Sequence, residues 1–326
     1  LDLKSTLYSS VATSFIRPIS FIYLIILFAL LYKTSNFQFA EFVVVVYLIN
    51  RIFTYVEQLQ GNIHKLNDTF PYVESVLRYD SEIIENKERK EGKNEFVFQD
   101  KMVFDKVRFY YDSGKDVLKN ISFEISKGAM VGIIGSSGAG KTTLVDLLLC
   151  ILQPSEGRIL LDGRNIEDIN IQTWRGNIGY VSQDIFLFND TVANNIKMFN
   201  SSIDNYGVIE AMKMADIYDF ISTCPEGIET VIGERGIKFS VGQRQRIALA
   251  RILVRKPKLL ILDEATSSLD NESEIRIQRV IEDLKGKTTI LMIAHRLSTV
   301  MNCDKLFVLE NGKIIEEGSP QELLKD

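Results

Sequence analysis

Cysteine is scarce in this sequence. Cys150, Cys224 and Cys303 are the only three among 326 residues, and no two form a CxxC pair. That excludes a disulfide scaffold and argues against a cysteine metal centre; the three read as reduced thiols facing the cytosol. Histidine is rarer still, with His64 and His295 alone. A basic excess is also missing. The 38 Lys and Arg are outnumbered by 43 Asp and Glu, a formal net charge of -5, so nothing points to nucleic acid as a partner. Internal repeats and low-complexity tracts are absent. The first residue is Leu1 rather than Met, as expected of a fragment or a processed product.

What is present is unevenly spread. Residues 1–60 are rich in Phe, Ile, Leu, Val and Tyr and poor in charge. Residues 81–95, "SEIIENKERKEGKNE", are charged and read as a linker. From Glu95 onward short apolar runs alternate with helical patterns, the signature of an α/β domain. The expected division is therefore a membrane part over 1–80, a linker over 81–95 and a catalytic domain over 96–326.

The membrane part rests on two apolar runs. "PISFIYLIILFALLY", Pro18 to Tyr32, is uncharged and, extended back to Ser10, approaches the roughly 20 residues that span a bilayer. Arg17 then lies near one membrane face, where its stem can snorkel. A polar turn, Lys33 to Asn36, leads into "FQFAEFVVVVYLINRIFTYVEQL". Glu41 and Arg51 flank the core of this second run, so it is not expected to face lipid on every side. Two runs without a small-residue cleavage site do not make a signal peptide. Their aromatic and branched content favours a membrane hairpin over a pair of buried soluble helices. Both ends of a hairpin lie on one side, and the large charged domain makes that side cytoplasmic.

Three motifs carry chemistry. "MVGIIGSSGAGKTTLVDLLL" reads strand, glycine loop, helix, and Gly135, Gly140, Lys141 and Thr142 fit G-x-x-x-x-G-K-[ST]. Backbone N–H groups of Gly135, Ser136, Ser137, Gly138, Ala139 and Gly140 would surround a nucleotide phosphate, because glycine permits conformations other residues resist. Lys141 would reach the β- and γ-phosphates, Thr142 would ligate Mg2+, and Thr143 follows in the same first turn. In "KLLILDEATSSLD" a buried-type strand delivers Asp263, placed to hold Mg2+ through water, and Glu264, placed to polarise the attacking water. In "FSVGQRQRIALAR", Ser240, Gly242 and Gln243 open a basic amphipathic helix, a second anion site in the same chain.

The region from about Phe96 onward resembles the nucleotide-binding domain of ABC transporters. "FSVGQ" resembles that family's signature, L-S-G-G-Q, with Phe239 for leucine and Val241 for the first glycine. The resemblance accounts for the two anion sites: two such domains pair head to tail, and the signature helix of one covers the γ-phosphate held by the other. It implies an α/β P-loop NTPase fold with a RecA-like core, an antiparallel β subdomain and a helical subdomain near 185–255, preceded by two transmembrane helices. It further implies that Tyr111, rather than its neighbour Tyr110, stacks on adenine. Gln183 would sense Mg2+ and water, His295 would contact the γ-phosphate, and Asp270 would end the loop that crosses the dimer interface.

"TVIGERGIKFS" and "FLFNDTVANNI" are similar to stretches of exporters, the second to the bacterial lipid A exporter group. The resemblance thus implies the C-terminal half of an ATP-driven exporter subunit in the inner membrane, with ATP and Mg2+ bound. Its partners would be membrane lipids and a second subunit. A homodimer is favoured over a heterodimer because no motif is ruined, and lipid-like cargo over peptide or drug. A soluble ABC ATPase acting on DNA or ribosomes is opposed by the apolar front end, and a dead regulatory ATPase by Glu264 and His295. An importer ATPase is opposed by fusion to membrane helices.

Overall fold

The computed structural model describes residues 18–19, 21–30, 32–33, 38–85, 92–111, 114–265, 270–295 and 297–324. Two compact units emerge, residues 1–89 and 90–326.

In the first unit, α1 covers Phe21–Leu30 and α2 covers Phe39–Glu85. Among the described residues α2 is the one helix long and apolar enough to cross a membrane. Arg17 and most of the expected turn at Lys33 to Asn36 lie outside the described residues. Within the apolar part of α2, Arg51 donates to the hydroxyls of Tyr47 at 2.7 Å and Tyr55 at 3.2 Å, one turn to either side. Pro71 lies inside the helix without ending it, although its missing N–H removes one hydrogen bond from the helix ladder. The helix also runs five residues into the charged stretch expected to be linker. Ser81–Glu85 are helical, and Arg78 pairs with Glu82 one turn on at 3.9 Å. Residues 86–91 lie outside the described set.

The second unit contains two sheets. The first is antiparallel, in the order β2-β1-β4-β5. Its strands are β1 (Lys101–Tyr110), β2 (Asp116–Ser126), β4 (Glu156–Leu161) and β5 (Arg164–Asn165). Burial alternates along most of β1, as expected of a sheet with one wet face. The second sheet has the order β10-β9-β3-β8-β7-β6. It comprises β3 (Met130–Ile134), β6 (Ile178–Val181), β7 (Leu259–Asp263), β8 (Thr289–Ala294), β9 (Lys305–Glu310) and β10 (Lys313–Gly318). All neighbours in it are parallel except β9 and β10. Every residue of β7 and β8 is buried, which is why "LLILD" and "TILMIA" are almost unbroken apolar runs.

Helices link these strands. α3 (Lys141–Leu148) follows β3, and α4 (Ile171–Gly176) precedes β6. Between β6 and β7 lie α5 (Val192–Lys197), α6 (Asn205–Met214), α7 (Tyr218–Ser222) and α8 (Val241–Leu253), inside the span expected to be helical. α9 (Asn271–Leu284) joins β7 to β8, α10 (Leu297–Val300) joins β8 to β9, and α11 (Pro320–Leu323) follows β10. One apolar cluster packs α8 and α9 against the parallel sheet, and a second joins α3 and Trp174 to the antiparallel sheet. Parallel strands put their C-terminal ends on one edge, where open α/β sheets bind ligands. The glycine loop, Asp263, Glu264, Gln183 and His295 all follow or end such strands.

Candidate nucleotide site

The loop from Gly135 to Gly140 is shaped by close approach. A Cβ at Gly135 would lie 2.2 Å from the Leu309 carbonyl oxygen, so no larger residue fits there. Gly140 adopts φ +107, and a Cβ there would meet Leu118 at 2.7 Å. No side chain caps α3, which leaves the first N–H groups of the helix for an anion. The Ser136, Ser137 and Gly138 rim is exposed, whereas Ala139 is buried.

Lys141 is nearly buried and lies back along the loop. Its Nζ donates to the carbonyls of Gly135 at 2.9 Å and Ser136 at 3.0 Å, and lies 3.2 Å from His295 Nε2. Burial lowers its pKa, opposed by the charges of Glu264 and Asp263. His295 Nε2 is in turn 2.7 Å from Glu264 Oε1. In a neutral ring that nitrogen either accepts from Lys141 or donates to Glu264, so the two contacts compete.

Glu264 has φ +50 and donates its N–H to Ile293 O at 2.9 Å. A left-handed non-glycine residue costs on the order of 1–3 kcal/mol and is typical of functional sites. Here the backbone turn carries the chain out of the sheet while the carboxylate meets His295. Asp263 is 8% exposed. Burial raises its pKa, and the hydrogen bond from Tyr180 opposes that rise. Thr142 and Gln183 are exposed, and Gln183 makes no hydrogen bond among the described residues. Asp263, Thr142 and Gln183 each carry a side-chain oxygen of the hard kind that Mg2+ takes.

Tyr111, not Tyr110, reaches the loop helix. Its hydroxyl is 3.3 Å from Thr143 Oγ1, and its ring meets Phe109 edge-on at 4.9 Å. The residue is 46% exposed.

The second anion motif is built elsewhere. Ser240 caps α8: its Oγ accepts from Gln243 N at 3.3 Å, and Gln243 Oε1 accepts from Ser240 N at 2.8 Å. Gly242 lies buried in the first turn. Ser240 and Gln243 line a cavity of about 410 Å3 with Asp270, Ser273 and Arg276, and no residue of the glycine loop borders it. Asp270 caps α9 by accepting from Ser273 N at 3.2 Å; the Ser273 side chain and then this N–H hold its pKa below the usual carboxylate range. The glycine loop and the capped serine thus do not share that cavity.

A family model for ABC transporters matches residues 118–267. That stretch is an ABC transporter domain. Multidrug resistance protein 1 of Entamoeba histolytica is 47% identical over 227 residues, 68% of this chain and 17% of that protein. A putative multidrug export ATP-binding/permease protein of Staphylococcus aureus is 45% identical over 229 residues, 70% of this chain and 40% of that protein. The chain therefore spans less than half the length of these relatives. A bacterial Atm1-family ABC exporter, solved with ATP bound, superposes with a TM-score of 0.77 at 31% identity, covering 98% of this chain and 56% of that one.

Sequence patterns did not single out the supports of this ABC domain. Asn195, fully buried, accepts from Phe188 N at 2.9 Å and donates to the carbonyls of Phe188 and Thr191, both at 3.0 Å. Arg251 of α8 donates to Asn195 O, Asn195 Oδ1 and Phe186 O at 2.8–2.9 Å. Burial pulls Arg251 down to about 10. The pair ties the segment after Gln183 to the helix that begins at Ser240. Tyr180 also went unmarked: its hydroxyl donates to Asp263 Oδ2 at 3.3 Å. Burial and the Asp263 charge push its phenol up to about 12, so it stays a donor at neutral pH.

Proposed function

We propose that this chain is the ATPase-bearing half of an exporter subunit, and that two subunits hydrolyse ATP at sites they share. The observation that carries the reading is the side-chain line from Lys141 through His295 to Glu264, beside Asp263, at the carboxyl edge of the parallel sheet. ATP phosphates take the Gly135–Gly140 loop and the start of α3, with Lys141 exchanging its loop carbonyls for phosphate oxygens. Thr142, Asp263 and Gln183 hold Mg2+, which when bound neutralises phosphate charge. Glu264 orients the attacking water and draws its proton, and His295 contacts the γ-phosphate while steadying Glu264. Tyr111 packs against adenine. Ser240, Gly242 and Gln243 of the partner copy, with its Asp270 loop, close over the γ-phosphate. Paired closure and reopening bias two conformations of the membrane part, the minimum that coupling requires.

Export as the output is supported by the apolar α2 in the same chain and by the exporter relatives. The membrane part is read as multi-pass in the inner membrane, with the ATPase domain cytoplasmic. A lipid-like molecule is the proposed substrate class.

The test is Glu264→Gln in the full-length protein. ATP binding is expected to persist while turnover falls about 100-fold or more, the range for losing a general base. Turnover within a factor of about three of the parent would remove Glu264 from this role.

A further inference from the structure

We propose that Tyr180 is a positioning residue for the metal-binding carboxylate: its hydroxyl holds Asp263 Oδ2 and leaves Oδ1 for a divalent cation. This rests on the reading of Asp263 as the Mg2+ residue. β6 is the edge strand beside β7, and Tyr180 pairs with Ile261, two residues before Asp263. Residues two apart share a sheet face, and two residues rise roughly 6.6 Å along a strand. A tyrosine spans that distance; a serine or threonine at the same position does not. The contact of 3.3 Å is the one hydrogen bond to the Asp263 side chain among the described residues.

The chemistry of the donor matters as much as its reach. Asp263 is buried; Glu264 and Asp146 place negative charge near it and Lys141 positive charge. Without a partner its carboxylate would be free to rotate toward solvent. A further lysine or arginine, added to Lys141, would hold it, but its positive charge would compete with an incoming cation. A neutral phenol orients the carboxylate without opposing the metal. Groups that hydrogen-bond a metal's ligands typically change metal affinity by about 10–100-fold when removed.

The experiment measures Mn2+ binding by electron paramagnetic resonance in the full-length protein with a non-hydrolysable ATP analogue. Tyr180→Phe is expected to raise the half-saturating Mn2+ concentration roughly tenfold, while analogue affinity in EDTA stays at the parent value. Asp263→Ala is expected to abolish the site-bound signal, and adding Tyr180→Phe to it to change nothing further. An unchanged Mn2+ half-saturation in Tyr180→Phe, with Asp263→Ala still losing the signal, overturns the role of Tyr180 alone. A full signal in Asp263→Ala overturns the metal reading beneath it. A Tyr180→Phe protein that no longer melts cooperatively also overturns the proposal, since losing one oxygen would then have exposed a packing role.

Discussion

Val241 occupies the first helical position of α8, directly after the capping Ser240, and is 39% exposed. A branched side chain there is confined to few rotamers and stiffens the turn. It also adds bulk to the surface that, in the proposed arrangement, meets the other chain's phosphate. Val241→Gly removes both effects and costs helix stability of about 0.5–1 kcal/mol. If the methyl groups resist closure by about 0.5 kcal/mol, the steady-state ATPase rate rises about twofold. An equivalent outcome is a lower half-saturating ATP concentration at unchanged maximal rate. A collapse of activity in a protein that still binds ATP would mean that Val241 packs usefully against the partner.

The element scale turns on Asn195. It joins α5, the 186–190 segment and α8 through a buried polar network, so the region carrying Gln183 is tied to the region carrying Ser240. Asn195→Ala leaves Phe188 N without its partner and takes an acceptor from Arg251, while the carbonyls of Phe188, Asp190 and Thr191 keep backbone donors. Each such loss costs about 1–3 kcal/mol, and a total of about 2–4 kcal/mol is expected. Hydrogen exchange should accelerate at residues 186–197 ahead of β7 and β8. Equal protection there in mutant and parent would refute the coupling. The network was not legible in "VANNI", because Asn194 and Asn195 are identical in composition and only the helix face decides which is buried. The phosphate loop and the β7 acids were legible because their chemistry is local: a strand, a glycine turn and a charged residue at fixed spacing. Tyr180 was not, since its partner lies 83 positions away. Nor was the end of α2. Charge argued for a linker from Ser81, yet an Arg78–Glu82 pair one turn apart accompanies a helix that runs to Glu85.

At the scale of the whole molecule, Ser240 lines a cavity that neither Lys141 nor the glycine loop borders. A site shared between two copies explains the separation and predicts complementation. Consider full-length subunits carrying Lys141→Ala and others carrying Ser240→Arg. Either homodimer has both sites damaged, one by loss of phosphate charge, the other by a bulky cation at the helix cap. In the mixed dimer both lesions fall in the same shared site. The other site receives an intact Lys141 from one chain and an intact Ser240 from its partner. Purified mixed dimers are therefore expected to regain ATPase activity, approaching the level of a wild-type/double-mutant dimer, which also has one intact site. If each chain used its own Lys141 and Ser240, every site in the mixture would keep one lesion. Activity no higher than either parent, with the wild-type/double-mutant control still hydrolysing ATP, would show that the two anion sites serve the same chain.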